Sequence, residues 1–254
     1  MILDIGIICL LFLLGLCIGH MAVIAGMKFP LKRRNLLSCC DNCNERYKWY
    51  EMIPIISFFI IGGECPYCEK QLSLGYPILE LICSILFPIS YMLYGFSYEM
   101  IALSIIIILT TIIYVCDFKY YIILDGPLII FSIIILALKF IFFGFETFLL
   151  SLCSGILIFL FFYAIKLIGD KLFKTESLGG GDIKLSMFFG FIVGLRLSII
   201  AIIVGSLFAF PVAIYYSFTN GKREIPFGPF LITGLMIVFV FMNQINSFIN
   251  VLFK

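Results

Sequence analysis

From Ile5 to Met27 the chain carries no Lys, Arg, Asp or Glu, and this run limits the available folds more than any other feature. Wound as a helix at about 1.5 Å per residue it matches the ~30 Å hydrocarbon core of a bilayer. It is longer than the ~7–15 apolar residues of a secretory signal and has no basic residue before it, so it reads as a retained span. Comparable runs recur along the chain. Together they give about eight candidate transmembrane helices, approximately 4–27, 77–95, 99–116, 126–144, 147–167, 183–196, 198–218 and 228–250. The sixth is the shortest. It is free of charge only from Leu185 to Leu195, and spans if Lys184 and Arg196 turn outward at its ends. Soluble domains are ~45–50% apolar and ~25% charged, whereas this chain is 63% hydrophobic and 13% charged. A soluble enzyme and a disordered chain are both excluded. The net charge of +2 is too small to imply a nucleic-acid partner.

Lys and Arg accumulate in cytoplasmic loops. With the loop after the first span placed inside, fourteen of the seventeen Lys and Arg residues fall on that side, leaving Lys139, Arg196 and Lys254 outside. This split supports eight crossings with the N-terminus outside. One polar region of any size remains, residues 28–76, between the first two spans. The expected organisation is an all-α polytopic membrane protein with three parts. Residues 1–27 form the first transmembrane helix, 28–76 a small cytoplasmic domain, and 77–254 the remaining bundle.

Four of the ten cysteines lie in that domain as Cys40-x-x-Cys43 and Cys65-x-x-Cys68. Two such pairs suit a tetrahedral Zn²⁺ held by four thiolates. A loop of this size builds little core and gains from a metal. Two disulfides are the alternative, which a reducing cytosol disfavours. Cys39 adjoins the first pair and competes with Cys40 as a ligand. The cysteines within spans, Cys9, Cys17, Cys83, Cys116 and Cys153, read as small apolar residues. His20, the only histidine, lies inside the first span and reads as a packed or lipid-facing polar residue. A histidine-based serine hydrolase is therefore hard to build.

Intramembrane carboxylates usually do chemistry or bind ions. Asp117 ends the third run; Asp182 follows Gly179-Gly180-Gly181 and opens the sixth. The chain crosses twice between them, so both lie on one face, the cytoplasmic one. Two carboxylates brought together there do not both ionise readily. One then acts as base on a water and the other, protonated, polarises a peptide carbonyl, which is aspartic-protease chemistry. Lacking Cβ atoms, the glycines permit close backbone approach and unusual dihedrals, as an extended substrate at a helix end requires. Read separately, Asp182 is an ordinary helix-N-terminal acid and Asp117 a solvated residue after a span. Asp125, eight residues after Asp117, competes for the role; Asp170 and Glu176 read as solvated loop charges. Glu80, four residues into the second span, faces either this site or the cysteine domain.

In chain order the sequence presents Gly19 with Lys28 and Pro30, the two cysteine pairs, Ile53-Pro54-Ile55-Ile56-Ser57, Gly63 before Cys65, and Tyr76-Pro77-Ile78-Leu79-Glu80. Asp117 to Asp125, Gly179-Gly180-Gly181-Asp182 and Ile225-Pro226-Phe227-Gly228-Pro229 follow. This ordered set resembles the bacterial type IV prepilin peptidases over about Gly15 to Gly234. The G-x-G-D element alone is shared with presenilin-like proteases; the ordered set is specific.

The resemblance implies that Asp117 and Asp182 cleave the basic leader of prepilin or pseudopilin substrates at the cytoplasmic face of the bacterial plasma membrane. Gly179, Gly181 and Asp125 belong to the motifs around that pair. The resemblance further implies N-methylation of the new N-terminal residue, commonly phenylalanine, by S-adenosylmethionine, with Gly63 and Glu80 linked to that step. Cys40, Cys43, Cys65 and Cys68 match the family's cytoplasmic tetrad. Acidic residues such as Asp41, Glu45, Glu51, Glu64 and Glu69 are candidates for reading the basic leader.

The sequence departs from the family pattern in four places: Gly19-His20-Met21-Ala22-Val23-Ile24 lacks both the family's serine and its asparagine, Met52 stands for an asparagine, and Leu124 stands for a proline. Three of the four departures lie in the part associated with methyl transfer, so a peptidase without that activity is the first alternative. A cation or solute transporter using its carboxylates and a zinc-dependent scaffold without catalysis are the others.

Overall fold

A computed structural model describes residues 2–31, 40, 42–43, 45–174, 178–219 and 225–252. Lys32, Arg33, Arg34, Cys39, Asp41, Glu176, Lys222, Arg223 and Lys254 lie outside the described residues. Eight α-helices are present among the described residues: α1 Ile2–Lys28, α2 Ile56–Ile60, α3 Gly75–Tyr94, α4 Tyr98–Tyr120, α5 Asp125–Phe173, α6 Gly180–Thr219, α7 Gly228–Val240 and α8 Met242–Leu252. No named β-strand occurs among them, and Glu64 and Gln71 pair as an isolated antiparallel bridge.

Five of these helices are long and apolar enough to cross a membrane, and the bent pair α7 and α8 makes a sixth. Two of the five are too long for one crossing. At 49 and 40 residues, α5 and α6 would extend about 70 and 60 Å, twice a bilayer core. Each is broken at a glycine in almost the same conformation, Gly144 at φ 83, ψ −178 and Gly194 at φ 77, ψ 176. Positive φ is open to glycine at little cost. In α5 the break is a reversal. Lys139 Nζ donates to Ser151 Oγ at 2.8 Å, although twelve residues along a straight helix would separate them by about 18 Å. With α5 and α6 each counted as two arms the total is eight, and the breaks fall where the sequence separates spans four from five and six from seven.

Outward-facing side chains on these helices are large and apolar; Ile130, Ile133, Ile141, Leu150, Phe161 and Phe210 are each more than half exposed. In water such a surface would aggregate; against lipid chains it is the expected solvent face. The last predicted span differs from expectation. Instead of one helix over 228–250, the chain bends by 74° between α7 and α8, so the apolar run is not one straight rod.

The chain divides into two compact units, Met1–Cys116 and Asp117–Lys254. In the first, α1 packs on α3 through Gly15 and Gly19, four residues apart on one helix face. A Cβ on Gly15 would sit 2.9 Å from Phe87 Cβ, and one on Gly19 2.9 Å from Cys83 Cβ. Small residues at this spacing let two membrane helices approach closely. In the second unit, α5 after its break meets α6 before its break at Gly155 and Gly190, where a Cβ on Gly190 would lie 2.5 Å from Gly155 Cα. After its own break α6 meets α7 at Gly205 and Gly234; a Cβ on Gly205 would lie 2.8 Å from Leu231 Cα. Glycine contacts set the backbone spacing in both units.

Candidate active site and metal centre

Asp117 lies within the last turns of α4 and is 6% exposed. It is buried, which removes the reading of a solvated residue after a span. Its Oδ2 accepts the backbone N–H of Gly228 at 2.9 Å. Gly228 is the first residue of α7, where backbone N–H groups have no partner within the helix, and Pro229 follows it with no N–H of its own. The Ile225-Pro226-Phe227-Gly228-Pro229 element thus brings a fixed donor to one carboxylate oxygen. Sequence reading recorded this element but gave it no role, because nothing local shows what a helix start faces 111 residues away.

Asp182 lies in the first turn of α6, half-buried. The glycines before it divide sharply by position. A Cβ on Gly179 would lie 2.9 Å from Asp182 Oδ2, and one on Gly181 2.8 Å from Ile123 Cβ, whereas one on Gly180 would meet nothing within 4 Å. The third position therefore excludes a side chain by contact, the first meets only the movable end of Asp182, and the middle one is open. None of the three has positive φ. The expectation of unusual dihedrals is corrected: close approach, at Gly179 and Gly181, is what the structure gives these glycines.

Asp125, the first residue of α5, accepts Lys184 Nζ on both oxygens, at 2.8 and 2.7 Å. Its side chain is 54% exposed. Engaged with a lysine two residues past Asp182, it joins the start of α5 to the start of α6. Asp125 is thus an ion-paired surface acid, unlike buried Asp117. Lys184 ends in an ion pair, and Lys139, counted among the outside charges, is buried at the α5 reversal.

The Sγ atoms of Cys40, Cys43, Cys65 and Cys68 all lie within 4.8 Å of one another, and all four cysteines are free thiols. Two S···S separations are 3.7 Å, Cys40 to Cys68, and 3.9 Å, Cys43 to Cys65. Four thiolates about 2.3 Å from a tetrahedral Zn²⁺ would be about 3.8 Å apart. The two halves are built alike. Cys40 N–H donates to Glu45 O and Cys65 N–H to Lys70 O, each at 3.0 Å and each over five residues.

Burial works to raise the Cys40 thiol, but backbone hydrogen bonds at Cys43 and Asn42 and the neighbouring sulfurs outweigh it and bring it down to about 6. Cys68 is lowered mainly by its backbone hydrogen bond at Lys70. At Cys43 the backbone bond at Glu45 favours the thiolate, yet desolvation and the three other sulfurs prevail and raise it to about 12. Crowded thiolates of this kind call for a cation. The cluster is fit to hold a metal ion.

Glu80, buried in α3, has both oxygens engaged. Oε1 meets His20 Nδ1 at 2.7 Å, and Oε2 accepts Ile55 N–H at 2.7 Å. Ile55 has φ 60, rare and strained for a β-branched residue. Gly63, at φ 73, donates its N–H to Phe58 O at 2.9 Å and accepts from Leu72 N–H at 2.8 Å. Both Gly63 and Glu80 are thus tied to the segment around α2. His20 is paired with a carboxylate rather than merely packed. Sequence reading missed this pair, although a lone His and a lone Glu in adjacent spans is the kind of intramembrane polar coupling to look for.

Comparison with known proteins agrees with this arrangement. Residues 13–94 match the Bacterial Peptidase A24 N-terminal domain, and residues 103–214, which hold Asp117 and Asp182, match the Type IV leader peptidase family. The chain belongs to the type IV leader peptidase family. A prepilin leader peptidase/N-methyltransferase of Bacillus subtilis (strain 168) is 27% identical over 245 residues, 94% of this chain and 96% of that protein. One from Vibrio cholerae serotype O1 is 29% identical over 220 residues, 80% of each chain. One from Neisseria gonorrhoeae is 28% identical over 228 residues, 84% of this chain and 74% of that protein. No solved structure matches the chain. Helices long and apolar enough to cross a membrane account for most of the chain's length, as in a multi-pass membrane protein.

Proposed function

We propose that this protein is a prepilin leader peptidase that also methylates the N-terminus it exposes. The observation that carries the first activity is the buried Asp117 carboxylate at the end of α4, held by Gly228 N–H, with the start of α6, where Asp182 lies, packed on the segment that follows Asp117 through Gly181 at Ile123 and Lys184 at Asp125. An N–H donated to Oδ2 suits a charged carboxylate, so Asp117 activates the water and Asp182 carries the shared proton. Water oxygen attacks the scissile carbonyl carbon as Asp117 takes its proton and Asp182 gives its own to the carbonyl oxygen. Collapse of the tetrahedral intermediate breaks the C–N bond, the leaving amine takes the proton from Asp117, and Asp182 recovers its proton from the hydroxyl.

Prepilin-like proteins are the substrates. The excess of basic residues in loops on one side supports placing this site at the cytoplasmic face of the bacterial plasma membrane, with the N-terminus outside. Gly179 and Gly181 support catalysis by letting the backbone close on Asp182 and Ile123, and Asp125 does so by its bond to Lys184. For the cysteine cluster we propose zinc, held by Cys40, Cys43, Cys65 and Cys68, as a structural ion that organises a small domain. S-adenosylmethionine is the methyl donor of the second activity, consumed as a substrate, and Gly63 and Glu80 belong to the part of the chain that serves it.

Membranes containing this chain and a prepilin-like substrate test the reading. Mass spectrometry of the mature product is expected to show loss of the leader and one added methyl group on the new N-terminus. An intact leader would overturn the first activity, and a cleaved product without the methyl group the second.

A further inference from the structure

His20 Nε2 is out of reach of solvent and has no hydrogen-bond partner among the described residues. Buried polar atoms in folded proteins are nearly always paired, and one that is not calls for an explanation. Its other ring nitrogen, Nδ1, lies 2.7 Å from Glu80 Oε1. With the N–H of a neutral ring on Nδ1, donated to that carboxylate, Nε2 offers its lone pair. The backbone has been arranged to place it. Gly19 lets α1 close on α3 at Cys83, one turn beyond Glu80, which delivers the next residue, His20, to the Glu80 carboxylate. Ile55 N–H occupies the second oxygen of Glu80 from a strained conformation. With both oxygens engaged, the carboxylate is held behind the imidazole and does not swing away.

We infer that His20 Nε2 receives the new N-terminal amine of the cleaved substrate and takes its proton, with Glu80 as the positioning residue. This rests on the proposed methyltransferase activity. A leader peptidase leaves an α-amine, which below its own ionisation at ~7.7–8.0 takes up a proton and then has no lone pair. His20 Nε2 accepts one proton from the ammonium nitrogen, and the imidazolium formed is stabilised by Glu80. The amine lone pair then attacks the methyl carbon of the sulfonium donor, the new N–C bond forms as C–S breaks, and sulfur keeps the bonding pair. The secondary amine leaves protonated, and the one proton released overall passes from His20 as product gives way to the next substrate. The titratable groups beside His20 are Glu80 and, next to Glu80 on α3, Cys83; the Ile55 segment contributes a backbone N–H. A metal is not the ligand sought here, since the cysteine tetrad is the metal-type cluster found among the described residues.

The test uses the full chain in detergent with a synthetic apolar peptide that begins with a free phenylalanine amine, so that cleavage is not needed. Methylation by the parent is compared with His20→Ala and Glu80→Gln across pH. The expected His20→Ala deficit is about 10²–10⁴-fold near pH 6. It shrinks about tenfold per pH unit toward the amine's own ionisation at ~7.7–8.0, where the substrate loses its proton unaided. Glu80→Gln shows a smaller deficit of the same pH form.

A deficit equal at every pH would mark a purely structural role and overturn the inference, as would parental rates in His20→Ala. Binding without any methyl donor gives a second readout. The parent is expected to prefer the free-amine peptide over its N-acetylated form by about 10–100-fold, the weight of one charged hydrogen bond, and His20→Ala to lose that preference. A parent that does not discriminate overturns the inference even where His20→Ala fails to fold. A parent that discriminates but transfers no methyl group overturns the methyltransferase reading and leaves amine capture by His20 standing.

Discussion

Adding one methyl group at Gly181 probes the geometry of the proposed active site directly. The Cβ of Gly181→Ala would lie 2.8 Å from Ile123 Cβ, with Ile123 Cδ1 and Cγ1 both at 3.3 Å. A Cβ atom is fixed to its backbone, and Ile is stiff at χ1, so the contact is relieved only by moving the start of α6 or the chain before α5. Overpacking of this kind costs about 1–3 kcal/mol. Asp182 is the next residue, so part of that cost appears as displacement of its carboxylate. Displacements under 1 Å lower catalysis by up to about 10²-fold.

The expected outcome is a leader-cleavage rate about 10–100-fold below the parent, measured as processed prepilin against time in membranes. Gly180→Ala is the internal control, because its Cβ meets nothing within 4 Å, and it should cleave at nearly the parental rate. Trimming the obstacle, in Gly181→Ala with Ile123→Ala, should recover much of the loss. Equal damage from Gly180→Ala and Gly181→Ala, or no recovery in the double variant, would refute the reasoning.

Three further outcomes follow from the same geometry. Cys40→Ser and Cys65→Ser should each lose bound zinc as measured by elemental analysis of purified protein; full loading in both would remove the tetrad. Gly190→Ala, whose Cβ would stand 2.5 Å from Gly155 Cα, sets backbone against backbone and should destabilise by about 3 kcal/mol or more, read as a lower midpoint of thermal unfolding. Lys184→Met should cost less than about 1 kcal/mol in the same assay, because both partners of the Lys184–Asp125 pair are about half exposed.

The membrane-spanning fold was legible because its signal is local and repeated: long runs without charge can only be buried in lipid. Even the breaks within α5 and α6 fall at Gly144 and Gly194, next to the boundaries those runs suggest. The bend after α7 was not legible. Phe241, where it occurs, is neither glycine nor proline and sits in an unbroken apolar stretch. The cysteine cluster was readable from spacing, since each pair makes its own knuckle, and Cys40 takes its place in it while Cys39 lies outside the described residues. Asp117 and Asp182 stood out because charges are scarce here. What surrounds them did not stand out: Gly228 N–H, Ile123 and Lys184 come from other elements, and their meeting is a product of packing. His20 and Glu80, sixty residues apart, are the sharpest case, each ordinary alone.

The central claim is that one water is activated between Asp117 and Asp182, and single replacement of each carboxylate tests it most directly. Leader cleavage of a co-expressed prepilin-like substrate is measured for the parent, Asp117→Asn and Asp182→Asn, with the amount of each protein in the membrane held equal. Asparagine keeps the shape of the side chain and removes its acid–base function. Both variants are expected to leave the leader uncut, with activity reduced by at least about 10²–10⁴-fold, while each still binds zinc. Parental cleavage by either variant would contradict it.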